Sequence, residues 1–372
     1  MAATQDALYA ELDLELSWSE QQLPERERTK HVHRLHPYLG KFIPQLVEEL
    51  LRRHVATGGR VLDPFAGSGT TLVQALESGH GATGVDLAAF NCLLMRVKTA
   101  RVDPQALEHE LRDALDRFER GEGSPAAKPS SYVTAWFAPQ AAEELLAFRS
   151  LIGEYEHADV LRVILARAAR SARLTTHFDL DFPASPQCEP YWCHKHKREC
   201  RPVERAAHFL RRYTLDTLAR LKQFAQVRGE GDALVLHGDA REVDAGDGYD
   251  AVVTSPPYPG LIDYHEQHRY AYELLELDDL RDRELGAAAA GTGKAALGRY
   301  VDGVAGVLGR AAEALKGDAP LLIVVNDRRE LYPEVLARAG LRLDGRYRRH
   351  VNRRTGRRAG EYFEDVLVAR RA

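Results

Sequence analysis

The sequence lacks most of the features that would place it in a membrane, outside the cell or on a disulfide framework. No apolar run approaches the roughly 20 residues that a membrane-spanning helix needs, and the N-terminus lacks the basic and then apolar pattern of a signal peptide. The 372 residues include only four cysteines, which is too few for a disulfide-built fold of this size. We therefore expect a soluble cytoplasmic protein without a membrane partner. The cysteines are Cys92, Cys188, Cys193 and Cys200.

A large excess of charge of one sign is also missing. The formal net charge of −4 argues against a uniformly cationic surface for nucleic acid. Basic residues are nevertheless concentrated at 26–34, 195–212 and 346–358. Such clusters are either solvated faces balanced by nearby acids or contacts to phosphates.

Strand and helix patterns alternate near both ends of the chain but not in its middle. Between about 101 and 230 the strand patterns vanish and long helical patterns take over. The tail has two apolar runs, at 341–343 and 363–368, that predict an antiparallel hairpin. We therefore expect a mostly parallel, doubly wound α/β sheet from 1–100 and 231–372, with a helical insertion at 101–230 that is the candidate region for target recognition. Its predicted parallel strands lie at 60–62, 81–85, 233–236, 251–253 and 320–325.

Two short segments follow predicted strands directly. The string DPFAGSGTT occupies residues 63–71, and TSPPY occupies residues 254–258. In an open α/β sheet the carboxyl ends of the strands form the edge where ligands bind. Both segments are therefore expected at the functional edge of the sheet.

Together with HPYLGKFIP at residues 36–44, these segments resemble the S-adenosylmethionine-dependent DNA amino-methyltransferases, which methylate the exocyclic nitrogen of cytosine or adenine. The resemblance covers about 30–100 and 232–372. It implies a Rossmann-like methyltransferase fold, S-adenosyl-L-methionine as cofactor, double-stranded DNA as partner and a restriction-modification setting with a possible cognate endonuclease. The TSPPY form favours N4 of cytosine, because adenine enzymes of the family usually carry Asp or Asn in place of Ser255. An adenine or RNA enzyme, and an inactive DNA-binding regulator, are the alternatives.

A glycine-bearing turn from strand to helix lets the backbone approach a ligand closely and presents N–H groups to it. Asp86 ends the second strand about 20 residues after this turn, where a carboxylate can accept from both ribose hydroxyls. Asp239 resembles the acid that takes the adenine amino group. For both Asp86 and Asp239, capping of a following helix is the alternative. The resemblance assigns the methionine end of the cofactor to Asp63, Phe65, Gly67, Ser68, Gly69 and Thr70. The resemblance also places Tyr38, Lys41 and Phe42 in the cofactor pocket. A purely packing role is the alternative for these residues.

The TSPPY segment carries the predicted chemistry. The exocyclic amine of cytosine is a poor nucleophile, because its lone pair is delocalised into the ring. The Ser255 hydroxyl and the Pro256 carbonyl would accept its two hydrogens and direct the lone pair at the methyl group. Pro256 and Pro257 fix the backbone and remove competing N–H donors. Tyr258 offers a flat face for a base that has left the helix.

A segment rich in Cys, His, aromatic and basic residues spans 188–200. Zinc prefers four soft or borderline ligands, but the cysteine spacing C-x4-C-x6-C lacks paired C-x2-C knuckles. A reduced, basic loop that faces DNA is the other interpretation, so the metal question stays open. The predicted DNA contacts are Lys195, Lys197, Arg198, Arg348, Arg349, Arg353, Arg354, Arg357 and Arg358.

Overall fold

A computed structural model describes residues 13–19, 21–38, 40, 42–124, 128–177, 179–180, 183–351 and 362–372. Within these residues the strands are β1 (Arg60–Asp63), β2 (Gly81–Asp86), β3 (Tyr191–Cys193), β4 (Arg198–Cys200), β5 (Ala233–His237), β6 (Ala251–Thr254), β7 (Leu321–Val325), β8 (Leu341–His350) and β9 (Phe363–Arg371). The α-helices are α1 (Glu25–Arg28), α2 (Pro44–His54), α3 (Thr70–Glu77), α4 (Ala89–Thr99), α5 (Pro104–Glu119), α6 (Ser131–Trp136), α7 (Pro139–Leu151), α8 (Ala158–Ala172), α9 (Ala207–Val227), α10 (Tyr264–Gln267), α11 (Arg269–Leu275), α12 (Lys294–Glu313) and α13 (Tyr332–Arg338).

The chain forms two compact units. The first consists of Met1–Met95, Val227–Asp263 and Asp282–Ala372, and the second of Arg96–Gln226 and Tyr264–Arg281. The second unit thus includes α10 and α11, which the sequence analysis assigned to the sheet domain. A role of this unit in target recognition stays a prediction.

The first unit is built on a seven-stranded sheet of order β5-β2-β1-β6-β7-β9-β8. Strands β5, β2, β1, β6 and β7 are parallel, whereas β9 pairs antiparallel with both β7 and β8. The mostly parallel sheet and the C-terminal antiparallel hairpin are as predicted. The strand order reverses between β1 and β6, which is the topological switch point where open α/β sheets bind ligands.

Strand β7 shows how the three layers of this unit pack. All five of its residues are buried, as is usual for a parallel strand covered on both faces. Leu321, Ile323 and Val325 face a core that contains α12 and α13 side chains. Leu322 and Val324 face a second core, which contains side chains of α2, α3 and α4. This alternation places helices on both faces of the sheet.

The second unit is mainly helical, and local signals in the sequence set its helix starts. The Asp103 side chain accepts from the backbone N–H groups of Gln105 and Ala106, and Pro104 occupies the first turn of α5. Helix α8 is buried on most of its surface and packs against α7 and α11. Strands β3 and β4 form an antiparallel hairpin, where the sequence analysis predicted only an ordered loop. No helix of the described residues is long and apolar enough to cross a membrane.

Candidate active site

The two motif segments meet at the switch point of the sheet. Asp63 ends β1 and Thr254 ends β6, and the register pairs Val61 with Ala251 and Leu62 with Val252. The Thr254 hydroxyl donates to Asp63 Oδ1 at 2.7 Å, and both side chains are buried. Residues 63–71 and 254–258 therefore belong to one site.

Asp63 is a buried carboxyl group that accepts hydrogen bonds from Thr71, Thr254 and Phe65. It is only 1% exposed, and its Oδ1 also accepts from the Phe65 N–H at 3.1 Å. Burial raises the pKa of Asp63 to about 6, although the hydrogen bonds oppose this rise. The carboxylate is thus ionised at neutral pH, as holding a cationic ligand group requires.

The turn after β1 requires glycine at two positions. Gly67 and Gly69 have φ of +51° and +80°, in the left-handed region. A Cβ at Gly69 would lie 2.7 Å from Met95 Cγ, and one at Gly67 would lie 2.9 Å from the Tyr38 hydroxyl oxygen. Tyr38 therefore covers the turn, so the segment at 36–44 also reaches this site.

Asp86 lies across the turn from β1. Its Oδ2 accepts from the Gly67 N–H at 2.8 Å, and its Oδ1 accepts from the Ala88 N–H at 2.8 Å and from Asn91 Nδ2 at 3.0 Å. Burial raises the pKa of Asp86, against the effect of these donors. A carboxylate has about four acceptor positions, and the described residues use three. The remaining position and the partial exposure of Asp86 fit a hydroxyl-bearing ligand such as the ribose of S-adenosylmethionine.

Both carboxylate oxygens of Asp239 contact arginine side chains. Its Oδ1 accepts from Arg241 N and Nε at 2.9 and 2.8 Å, and its Oδ2 lies 2.5 Å from Arg241 Nη2 and 2.9 Å from Arg283 Nη2. Burial alone would raise the pKa of Asp239, but these partners outweigh it and lower the pKa. In this arrangement Asp239 caps a turn, and its contact with an adenine amino group stays a prediction.

The residues after Thr254 form a hydrogen-bonded group with the end of the chain. The Tyr258 hydroxyl is hydrogen-bonded to Ser255 and to Tyr362, and Glu364 lies near it. Burial raises the pKa of Tyr258 well above its usual value, and Glu364 and Tyr362 add to the rise. Tyr258 is therefore a neutral phenol at all physiological pH values. Pro256 is buried and Pro257 half-buried.

The other predicted cofactor residues differ in their surroundings. Ser68 and Thr70 are buried in the turn that begins α3, and Phe65 packs against the α12 side of the sheet. Phe42 is a core residue, packed in the same cluster as Leu46 and Leu50, which agrees with the packing alternative. Lys41 lies outside the described residues.

The predicted DNA-binding residues separate into three groups. Lys195, Lys197 and Arg198 are exposed on the β3–β4 hairpin, and no ion pair joins them to an acidic side chain of the described residues. The Arg348 guanidinium lies over the Phe363 ring, 5.1 Å from its centre. Arg353, Arg354, Arg357 and Arg358 lie outside the described residues.

The buried position of Arg349 contradicts its predicted role in DNA binding. It is 3% exposed and its Nε lies 3.6 Å from Glu364 Oε2. Burial lowers the pKa of Arg349, and Glu364 opposes this effect. Strand β8 alternates its side chains across the sheet, so one arginine of the basic run turns inward. A phosphate contact by Arg349 is therefore not compatible with its position.

Sequence reasoning missed three residues of the site. Asn91 donates to both Asp86 and the Tyr38 hydroxyl, the latter at 3.2 Å. Tyr362 and Glu364 adjoin Tyr258 although they lie about one hundred positions further along the chain. Asn91 follows Asp86 by five residues on α4, so its spacing was a usable signal. No local pattern marks Tyr362 or Glu364, since antiparallel pairing of β9 brings them to the site.

A parallel sheet of this order, with a glycine turn and a carboxylate at its switch point, defines the Rossmann-like methyltransferase class. The family model described as DNA methylase, of the N6/N4 type, matches residues 7–95. The chain is 35% identical to the type II methyltransferase M.MjaII of Methanocaldococcus jannaschii, over 93% of this chain and 81% of that protein. It is 23% identical to the type II methyltransferase M.MvaI of Kocuria varians, over 66% of this chain and 58% of that protein.

The chain therefore belongs to the N6/N4 family of type II DNA methyltransferases, and S-adenosyl-L-methionine is its methyl donor. Solved structures similar to it include the rRNA methyltransferase aviRa of Streptomyces viridochromogenes, at 15% identity and a TM-score of 0.37 over 90% of this chain and 88% of that one. Another is TrmN of Thermus thermophilus, at 14% identity and a TM-score of 0.34 over 90% and 50%. The fold class follows from the strand order and the family rather than from these likenesses.

Proposed function

We propose that the chain methylates N4 of cytosine in double-stranded DNA, at a specific site and after flipping the base. One observation supports this proposal most directly. Ser255 follows Thr254, whose hydroxyl is bonded to Asp63, so the predicted acceptor of the target amine adjoins the cofactor segment. In-line positioning of the amine and the methyl group is the main source of rate in such a transfer.

The cofactor supplies an electrophilic methyl group on a sulfonium. Asp63 has the charge and burial to hold the cationic methionine end, and Asp86 has the acceptor position to hold the ribose. Tyr38 covers the turn between them. These three residues would hold the cofactor beside the carboxyl end of β6.

The Ser255 and Tyr258 pair explains how the amine is activated. When the Ser255 hydroxyl donates to the Tyr258 oxygen, its lone pairs remain available to accept a hydrogen of the exocyclic amine. The Pro256 carbonyl would accept the other hydrogen, and Pro257 provides no competing N–H. The lone pair of the amine would then be directed at the methyl group that S-adenosylmethionine supplies, and the methylated amine would release one proton to water.

Cytosine is the proposed base because position 255 carries a serine. A hydroxyl donates to Tyr258 and accepts from the amine at the same time, whereas an ionised carboxylate only accepts. In the resembled family the adenine enzymes usually have Asp or Asn at this position. An adenine N6 or RNA enzyme would share every cofactor contact and is the alternative.

Target recognition is proposed for the helical segment at 101–230. The β3–β4 hairpin presents Lys195, Lys197 and Arg198 to solvent, and Trp192 is 60% exposed beside them. Cations suit phosphate contact, and an exposed indole suits stacking or insertion at an unpaired position. Arg348, Arg353, Arg354, Arg357 and Arg358 are the proposed contacts of the first unit. A restriction endonuclease of the same specificity is the proposed functional partner in the cytoplasm.

Nucleoside mass spectrometry of plasmid DNA from cells that express the chain tests this function. The comparison uses Ser255→Ala and, as a matched control, Ser150→Ala on the exposed part of α7. We expect N4-methylcytosine in the wild type and the control but not in Ser255→Ala, with S-adenosylmethionine binding by calorimetry retained in both variants.

Other outcomes discriminate between the alternatives. N6-methyladenine that depends on Ser255 would overturn the choice of base and keep the mechanism. An unmodified plasmid, followed by methyl transfer to RNA in vitro, would support an RNA enzyme. Binding of DNA without any transfer would support the inactive regulator.

A further inference from the structure

Four potential metal ligands converge in the second unit. His177 precedes the β3–β4 hairpin, Cys193 ends β3, His196 lies in the turn and Cys200 ends β4. One ligand atom from each of the four side chains lies within 4.8 Å of every other. Cys188 and His194, which the sequence analysis grouped with them, are not part of this cluster.

Two sulfur-to-nitrogen distances in this cluster match the edge of a tetrahedral zinc site. Cys193 Sγ lies 3.6 Å from His177 Nδ1, and Cys200 Sγ lies 3.5 Å from His196 Nδ1. Zinc bonds of about 2.3 Å to sulfur and about 2.0 Å to nitrogen, at the tetrahedral angle, place these two atoms about 3.5 Å apart. An ion would therefore fit among the four atoms without a large rearrangement.

The geometry points to a structural zinc ion held by His177, Cys193, His196 and Cys200. Two thiolates and two imidazoles form a closed four-ligand set of the kind that structural zinc prefers. Cys193 and His196 are separated by two residues, so the turn is a C-x2-H knuckle. The spacing between the cysteines alone, C-x4-C-x6-C, does not reveal this knuckle.

The hairpin itself supplies an independent reason for a bound ion. Each of its strands has three residues, and residues 194–199 are all exposed. A two-stranded hairpin of this kind is marginally stable in water by itself. Cys193 and Cys200 are nevertheless buried, at 4% and 7% exposure. A metal crosslink to His177 gives these thiols a partner and fixes the hairpin to the preceding chain.

The register places the two cysteine ligands and Trp192 on different faces of the hairpin. Tyr191 pairs with Cys200 and Cys193 pairs with Arg198, so the two cysteines lie on one face. Trp192 and Glu199 pair on the opposite face. The ion would thus hold the hairpin from one side while Trp192 points to solvent on the other.

The Tyr191 hydroxyl already contacts the His177 nitrogen that would bind the ion. Its hydroxyl lies 2.8 Å from His177 Nδ1 and accepts from the His177 N–H at 3.1 Å. With zinc on Nδ1, the hydroxyl keeps the backbone N–H as its partner. Loss of the imidazole contact is therefore compatible with Tyr191 staying in place.

Metal analysis of the whole chain tests this site. The protein is purified without chelator, exposed to zinc, desalted and measured by mass spectrometry of the metal. We expect about one zinc per chain in the wild type and in Cys188→Ser, an exposed cysteine outside the cluster, and almost none in Cys193→Ser or Cys200→Ser.

A cobalt(II) replacement provides a readout that does not depend on the variants folding. The wild-type and Cys188→Ser proteins should show the thiolate-to-metal absorption and the intense ligand-field bands of tetrahedral cobalt. His196 is exposed, so His196→Gln is a mild variant, and its zinc affinity should fall by at least the roughly 100-fold that loss of an outer partner can cost.

Three results would overturn the site: a wild-type protein without zinc after loading, an octahedral cobalt spectrum, or a Cys193–Cys200 disulfide in the freshly purified protein. Equal zinc loss in Cys188→Ser would also contradict it. None of these results depends on which base the enzyme methylates.

Discussion

The Thr254 hydroxyl donates a hydrogen bond of 2.7 Å to Asp63 Oδ1, although the two residues are 191 positions apart. The bond joins the segment proposed to hold the cofactor to the segment proposed to activate the base. It forms because β1 and β6 are adjacent parallel strands that end at the same edge of the sheet.

Removing the Thr254 hydroxyl should weaken cofactor binding. Thr254→Val keeps the shape of the side chain but removes the hydroxyl that donates to the buried Asp63 carboxylate at 2.7 Å, which costs about 1–3 kcal/mol. The Asp63 pKa should rise further, and the affinity for S-adenosylmethionine at pH 7.5 should fall roughly tenfold. Calorimetric titration measures this change. Thr254→Ser retains the donor and should bind like the wild type, so equal loss in both variants would contradict the role of the hydroxyl.

Replacing Asp63 should raise the stability of the fold at neutral pH but abolish cofactor binding. Folding raises the pKa of Asp63 from 3.8 to about 6, so ionising this carboxyl in the folded state costs up to about 3 kcal/mol. The cost is fully present above pH 6 and disappears as the pH falls toward 4. Asp63→Asn should therefore be more stable than the wild type at pH 7.5 without cofactor, yet fail to bind it.

Urea unfolding at two pH values checks the sign of this effect. The stability advantage of Asp63→Asn should shrink to about half between pH 7.5 and pH 5. An advantage that is absent at pH 7.5, or that grows on acidification, would show that Asp63 is not a costly buried charge.

The Tyr362 hydroxyl should affect turnover more than binding. Tyr362→Phe removes a partner of Tyr258, so the Tyr258–Ser255 pair loses part of its orientation. We expect kcat to fall roughly tenfold, the value of one hydrogen bond of about 1–1.5 kcal/mol, with unchanged affinity for S-adenosylmethionine. Tyr347→Phe is the matched control, because the Tyr347 hydroxyl contacts His54 instead. Similar kinetics for both variants would remove Tyr362 from the site.

The exposed face of the β3–β4 hairpin should contribute to DNA affinity. Lys197→Ala should weaken binding to all duplexes alike and lower the slope of log K against log salt by about one. Lys222, which is ion-paired with Glu108 on the same unit, provides the control substitution. Fluorescence anisotropy at several salt concentrations measures both slopes, and equal slopes for wild type and Lys197→Ala would exclude the contact.

Trp192 allows a test of stacking that is independent of charge. Trp192→Ala should reduce affinity by about 1–3 kcal/mol if the indole stacks on a base, with no change in the salt slope. Leu215 is a comparably exposed apolar side chain, at 52% against 60%, and Leu215→Ala should leave affinity unchanged. Equal affinity of both variants would remove Trp192 from the interface.

The sequence by itself determined the fold class and the place of the site. Apolar runs that end in DPFAGSGTT and TSPPY identify strand ends, because strand periodicity and turn chemistry are local properties. Glycines at 67 and 69 mark a left-handed turn for the same reason. Family, cofactor and most of the helices and strands followed from these short-range patterns.

Only the tertiary structure decided which distant side chains share a site. Arg349 belongs to a basic run yet is buried, and His177 joins Cys193, His196 and Cys200 from outside the cysteine segment. Tyr362 reaches Tyr258 through the pairing of β9 with β7. Spacing in sequence cannot predict such long-range contacts. Strand register and side-chain alternation decide which face of the sheet or hairpin each residue occupies.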